Sequence, residues 1–200
     1  RKVLRTADAF LPSIEAMAGI AAVSPQIVGN GFLLRGQATA PVGVTGVEPG
    51  KVSAIANIGN RLIAGSTALN NATVIIGSKL AENLGIGVGQ VVRMQSERGV
   101  ELPLAVGGIF DLGLDALDSR TAIVNLSTAR TLFEMEQGIS RIEVKLADLH
   151  QAEAFGRRIA ADTGLKVTPW TEGNAQLLDG LRAQGSSGDL IKAFALITIV

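Results

Sequence analysis

Thr73 to Val92, TVIIGSKLAENLGIGVGQVV, constrains this chain more than any other stretch, because it carries in one run the local signals for a complete structural unit. Thr73-Val74-Ile75-Ile76 predicts a short buried strand. Gly77 lets the chain turn, and Ser78 is placed to cap a helix by accepting a bond from a first-turn N–H. Leu80 and Leu84 then share one face, a single turn apart. Gly85 stands where a helix ends in a left-handed residue, and Gly87 and Gly89 keep the chain turning until Val91-Val92 opens the next strand. The prediction is strand, helix, glycine turn, strand.

The flanking chain reads as strands and short helices. Pro12-Ser13 starts a helix over Ile14 to Ala18 that Gly19 ends. From Ile20 to Val47 brief apolar runs separated by Gly, Pro and Asn predict strands and hairpins, and Glu48-Pro49-Gly50-Lys51 is a turn where a lobe boundary is placed. One short helix and then irregular chain are expected between Val52 and Leu69. Val91 to Gln95 and Val100 to Val106 flank Ser96-Glu97-Arg98-Gly99, a hairpin signal; Pro103 points to a strand edge and Gly107-Gly108 to a bulge. Asp111 to Ser119 reads as loop, Ala122-Ile123-Val124 as strand, and Ser127 as the cap of a helix with Ala129, Leu132 and Phe133 on one face. Ile139 to Leu146 alternates like a half-exposed strand. Asp148 is expected to cap an amphipathic helix through Ile159, with Glu153 and Arg157 paired outside, and Leu165 to Trp170 to form a strand. These elements predict an α+β fold in two lobes. Residues 1–50 and 139–185, from both chain ends, make one, and residues 51–138 are inserted into it as the other. Asp189 to Val200, apolar on every face over its last eight residues, is expected to begin a membrane helix too short by itself to cross a bilayer.

The residues exclude most chemistry. Eighteen basic side chains balance eighteen acidic ones and only seven residues are Phe or Trp, with no Tyr, so neither a basic field nor a stacking platform for nucleic acid is present. With no Cys and one His, His150, thiolate metal sites, cysteine nucleophiles and two-histidine sites are impossible. Val47-Glu48-Pro49-Gly50-Lys51 fails as a phosphate loop, since Thr45 stands where its first glycine is needed and Val52 where it needs Ser or Thr. Gly85-Ile86-Gly87-Val88-Gly89 follows a helix, whereas a dinucleotide-binding turn precedes one. Asp111, Asp115 and Asp118 lack the alternation and terminal Glu of a calcium loop and read as turn formers. No catalytic, cofactor or metal site is predicted. Two loops remain as candidate partner contacts: the hairpin tip Ser96, Glu97, Arg98 and Gly99, and the acidic loop with Asp111, Asp115 and Asp118.

Five segments, in order, resemble one family. Gly77 to Val92 resembles the GseLAxxLgvkvGDxv stretch of the extracytoplasmic domain of FtsX-like ABC-transporter permeases, the lipoprotein-releasing LolC/LolE and MacB-type group, with Gln90 where many members carry Asp. Gly19-Ile20 with Ala22-Val23-Ser24-Pro25, Val44 to Pro49, Gly108 to Ser119, and Trp170-Thr171-Glu172 with Asn174-Ala175 are similar to further motifs of that family. The resemblance implies a ferredoxin-like (Porter-like) lobe from both ends with a mixed β/α (Sabre-like) lobe inserted. It implies a non-catalytic domain on the periplasmic side of the inner membrane, held there by flanking membrane helices. It also implies a second permease copy, a cytoplasmic ATPase subunit that hydrolyses ATP, and a periplasmic partner protein, with the domain coupling membrane-helix motion to export or release of a lipoprotein, lipid or other envelope substrate. Lipoprotein-releasing members hook a soluble carrier with an extended hairpin. Ser96 to Gly99 only reverses the chain, so no such carrier is expected here. A free-standing secreted binding module and a soluble α+β enzyme are the alternatives the residues leave open.

Overall fold

A computed structural model describes residues 10–52, 58–147, 152–169 and 196–199. Its contacts divide the chain into two compact units, one within Arg1–Pro25 and Gly138–Val200 and the other within Gln26–Gln137. The first boundary expected at Glu48 to Lys51 therefore falls near Pro25. Residues 26–50 sit in the inserted unit because β1 (Ile20–Arg35) runs without a break into a tight hairpin with β2 (Ala38–Val47), paired from Gln26↔Val47 to Arg35↔Ala38. The apolar runs read as separate strands are two long ones.

In the first unit, Pro12 occupies the opening turn of α1 (Leu11–Glu15), where its missing N–H has no helical partner to lose. β8 (Arg141–Leu146), α5 (Ala152–Thr163) and β9 (Val167–Pro169) follow in the chain. Ile14, Val23, Ile139, Ile142, Val144, Leu146, Phe155 and Ile159 form the core. β8 is less exposed than its alternation predicts, for Glu143 is 7% exposed. Leu196–Ile199, expected to be helical, is strand β10, antiparallel to both β8 and β9. A short apolar run rich in β-branched residues suits a central strand as well as a buried helix, and periodicity cannot separate the two. Residues 189–195 lie outside the described residues, as do Asp148, His150 and Trp170; among the described residues no helix is long and apolar enough to cross a membrane.

The second unit is a closed ring of strands. β1 pairs antiparallel with β2, β2 parallel with β7 (Thr121–Asn125), β7 antiparallel with β4 (Thr73–Gly77), and β4 parallel with β6 (Glu101–Phe110). β6 pairs antiparallel with β5 (Val91–Ser96), which returns to β1 through Gly31↔Ser96 to Leu34↔Arg93. Closure satisfies backbone groups that an open sheet would leave at its edges. Leu33, Val42, Val44, Val74, Ile76, Val92, Met94, Leu104, Val106, Ala122 and Val124 belong to its core. Each large one contributes about 1.5–3 kcal/mol by leaving water. The expected bulge falls at Gly107, because Val74 pairs with Val106 and Ile75 with Gly108. Pro103 lies on the part of β6 that β4 does not reach, so its absent N–H breaks no ladder there. β3 (Leu62–Gly65), expected as irregular chain, pairs with β6 beyond the end of β5.

The parallel pairs require crossovers, and the helix after β4 lies in the one from β4 to β6. α2 (Ser78–Leu84) and α4 (Leu126–Phe133) each begin directly after a strand, at Gly77 and Asn125. Ser78 is thus the first helical residue and not the cap; its Oγ donates to Asp111 Oδ2 at 3.0 Å. Ser127 likewise does not cap α4. Asn125 does, its Oδ1 accepting from the Thr128 N–H at 2.8 Å. The two helices also end alike, in left-handed residues Gly85 (φ 59°) and Glu134 (φ 52°). Ile86 and Met135 N–H groups then reach back to Ala81 and Arg130 carbonyls at 2.9 Å each. These are Schellman closures, and their next residues, Ile86 and Met135, are buried.

Candidate functional site

The hairpin tip is built by a turn that closes on itself. Gly99 N–H donates to Ser96 O and Ser96 N–H to Val100 O, both at 2.9 Å, with Gly99 at φ 86°. Ser96 is 3% exposed, which leaves Glu97, Arg98 and Gly99 as the exposed members of the tip. Arg98 Nη1 pairs with Glu134 Oε2 at 3.3 Å, so the tip is tied to the left-handed residue that ends α4. Glu97 N–H donates to Asn30 O at 3.3 Å on β1.

That contact opens onto a depression of about 220 Å³ lined by Asn30, Gly31, Phe32, Pro41, Val42, Gly43, Glu97 and Arg120. Gly31 is required there, since a Cβ would come within 2.4 Å of the Gln95 carbonyl oxygen. Gly43 N–H donates to Arg120 O at 2.7 Å and so points away from β1. By the alternation of an antiparallel ladder, Thr39 and Pro41 turn their backbones the same way. Pro41 has no N–H, so the stretch of β2 that β7 leaves uncovered offers little to an added strand. Glu97 was legible in the sequence; Phe32 and Pro41 meet across the β1–β2 hairpin, and only the pairing of β5 with β1 and of β2 with β7 brings Glu97 and Arg120 to them. The one available signal was Phe32, an aromatic residue at an outward-facing strand position.

The acidic loop is structural in this geometry. Asp118 lies in α3 (Asp115–Asp118), a single turn within the stretch read as loop, and is 1% exposed. Its carboxylate accepts from the Leu112 N–H at 2.9 Å and the Leu114 N–H at 3.0 Å. Burial raises its pKa, and these two bonds oppose the rise. Asp111 accepts from Ser78 Oγ and from the Gly113 N–H at 2.7 Å. Gly77 must lack a side chain, for its Cβ would lie 2.2 Å from Asp118 O. Of the three aspartates only Asp115 is exposed. Among the described residues no cluster of three or more His, Asp or Glu is placed to hold a metal ion.

Residues 3–162 match the MacB-like periplasmic core domain family, and the chain belongs to it. It is the periplasmic domain of an FtsX-like ABC-transporter permease, on the outer side of the inner membrane. It is 25% identical over 179 residues to the lipoprotein-releasing system transmembrane protein LolC of Xylella fastidiosa (strain 9a5c), covering 82% of this chain and 43% of that protein. The LolC of Neisseria meningitidis serogroup B is 23% identical over 181 residues, covering 83% and 44%. The chain thus spans less than half the length of these relatives. Among solved structures, the periplasmic region of MacB from Actinobacillus actinomycetemcomitans superposes with a TM-score of 0.57 at 16% identity, covering 82% of this chain and 76% of that one. The extracellular domain of the transporter YknZ from Gram-positive bacteria gives 0.55 at 17% identity, covering 78% and 83%. The fold class is α+β, as expected.

Proposed function

We propose that this domain is a non-catalytic relay: it carries movement of the permease's membrane helices, driven by ATP hydrolysis on a separate cytoplasmic subunit, to an envelope substrate or a periplasmic partner. The observation that supports a relay is the closed ring of the inserted unit, in which the ends of α2 and α4 are bonded to the turns at Arg35 and Arg98. A rigid body carries displacement; a loosely joined sheet would absorb it. A Porter-like unit from both chain ends and an inserted Sabre-like unit are the division this reading uses, with the inserted unit starting at Gln26 where the sequence pattern put it at residue 51. Glu97, Arg98, Gly99 and Asp115 are its exposed candidate contacts.

The curated relatives are named for lipoprotein release. Cargo of that class fits this reading, but capture of a soluble carrier by a hook does not. β5 ends at Ser96 and β6 begins at Glu101, whereas a stable protein contact buries roughly 800 Å² per partner. The test uses the full-length permease with its ATPase in lipid, carrying a spin label at Asp115→Cys in each copy; this stretch has no cysteine of its own. A label-to-label distance that changes between nucleotide-free and hydrolysing states is expected. An unchanged distance during active turnover would refute the relay, and specific capture of a lipoprotein carrier, lost on Arg98→Glu, would refute the carrier-free reading.

A further inference from the structure

Glu134 occupies a position that its residue type does not suit. Its backbone is left-handed at φ 52°, and among the described residues every other one with positive φ is a glycine. A side chain there crowds the following carbonyl oxygen, which is why glycine is the residue usually found past a helix end. Its charge is misplaced as well, since a carboxylate lies beside the unpaired carbonyls of α4, whose partial charge is negative. The same unit contains the unstrained alternative. α2 ends in the same closure at similar backbone angles, φ 59° and ψ 39° against φ 52° and ψ 45°, and there the residue is Gly85. The closure therefore calls for no side chain. What glutamate adds is a carboxylate, and the one side-chain partner it has among the described residues is Arg98. With 59% and 56% of the two side chains exposed, that pair adds little to stability and does not offset two unfavourable local effects.

We infer that Glu134 is a positioning residue: its carboxylate holds Arg98 at the β5–β6 tip against the end of α4, so that the tip and that helix end move together. A strained residue kept where stability gains nothing from it marks a place where geometry serves function. The backbone of the tip is already closed by the bonds of Ser96 and Gly99, so the freedom left to restrict is that of the long Arg98 side chain. A neutral residue at this helix end could not restrict it, and glycine would leave nothing for it to meet. The end of α4 is also close to where the chain leaves the inserted unit, at Gln137, three residues after Glu134. Displacement of the tip is thereby passed to that exit through one side-chain pair. The inference rests on the relay reading in taking the tip as a contact of the inserted unit; the pairing of Glu134 with Arg98 does not depend on it.

Two measurements test it, one on the 200-residue chain and one on the full-length permease with its ATPase in lipid. In the chain, Glu134→Gly raises the urea midpoint because it relieves both local effects, and Glu134→Ala, which keeps a side chain on the left-handed backbone, raises it less. Relaxation of the Arg98 Nε–H resonance shows what is lost. That group is restricted in the native chain and, in Glu134→Gly, becomes as mobile as that of Arg61, an exposed arginine with no side-chain partner among the described residues. In the permease, with its other cysteines removed, spin labels at Glu97→Cys in each copy give a distance that shifts between nucleotide-free and hydrolysing states. Glu134→Gly broadens that distribution and reduces the shift, although the domain itself is more stable. Arg98→Glu alone does the same, and Arg98→Glu combined with Glu134→Arg restores the native behaviour, since the pair is remade with its signs exchanged. A Glu134→Gly chain with a lowered urea midpoint, an Arg98 as ordered as in the native chain, or tip distances that stay native would each overturn the inference. Tip distances that stay constant through turnover in the native permease, with Arg98 still released by Glu134→Gly, would refute the relay and uphold the pairing.

Discussion

Arg35 and Arg98 do equivalent work at two places in the inserted unit. Each sits at a hairpin turn, and each reaches the C-terminal end of a helix, where unpaired carbonyls carry partial negative charge. Arg35 Nη1 donates to the Leu84 carbonyl at 2.8 Å and to that of Gly85, and its Nη2 reaches Gln90 Oε1 at 3.4 Å. Arg98 instead meets the carboxylate of Glu134, half-exposed to solvent. Arg35→Ala should therefore cost about 1–2 kcal/mol and Arg98→Ala less than about 1, read as shifts in urea midpoint at constant slope. Leu84→Ala, at 6% exposure, should cost about 2–5 kcal/mol. Asp118 adds a dependence on pH. Its raised native pKa means the native state holds that proton more tightly than the unfolded chain. The stability this gives is complete below the unfolded carboxyl value of about 3.9 and is lost as pH rises through the native one. Asp118→Asn removes one of the two backbone acceptances and destabilises the fold; the gap between native chain and variant should be wider at acid pH than at neutral pH. Leu84 and Gly85 were legible from spacing. Arg35 was not, because its partners lie some fifty residues away.

At the scale of elements, a strand that passes straight into a helix changes which residue caps it. Ser78 and Ser127 carry the usual capping chemistry, but the last strand residue, Gly77 or Asn125, already occupies the cap position. Asn125→Ala should cost about 0.5–2 kcal/mol and Ser127→Ala close to nothing, compared by thermal unfolding. Asn125 Nδ2 also donates to Asn71 Oδ1 at 2.6 Å, which places its cost toward the upper end. The β5–β6 hairpin, the bulge at Gly107 and the edge position of Pro103 were legible, since each is dictated by glycine, proline or turn chemistry within a few residues. β3 was not, because Leu62–Gly65 has no period of its own and is held as a strand by β6. Glu97 and Arg98 were legible as candidate contacts for the same local reason. Phe32 and Pro41 meet across the local β1–β2 hairpin, but only the ring's topology brings Glu97 and Arg120 to them.

For the whole molecule, the decisive question is where the inserted unit begins, since Gly138 marks its end closely and the start differs by some twenty-five residues between sequence pattern and contacts. Glu48-Pro49-Gly50-Lys51 is a strong local turn signal, but a turn inside a unit looks the same in sequence as a turn between units. The register settles what each cut would remove. A segment spanning 51–137 lacks β1 and β2, so β5 loses its partner at Gly31 to Leu34 and β7 loses its partner at Gly43 to Val47. Both become open edges, and Leu33, Val42 and Val44 leave the core, removing several side chains worth about 1.5–3 kcal/mol each. That is comparable to the whole stability of many small domains, about 5–15 kcal/mol, before the exposed edges are counted. A segment spanning 26–137 keeps all six strands of the ring and helices α2 and α4. We therefore expect 26–137 to unfold in one cooperative urea transition with dispersed amide resonances, and 51–137 to show neither. Cooperative folding of 51–137 would place the boundary at the Glu48 to Lys51 turn and would mean that the β1–β2 hairpin is an accessory to the inserted unit and no part of its closure.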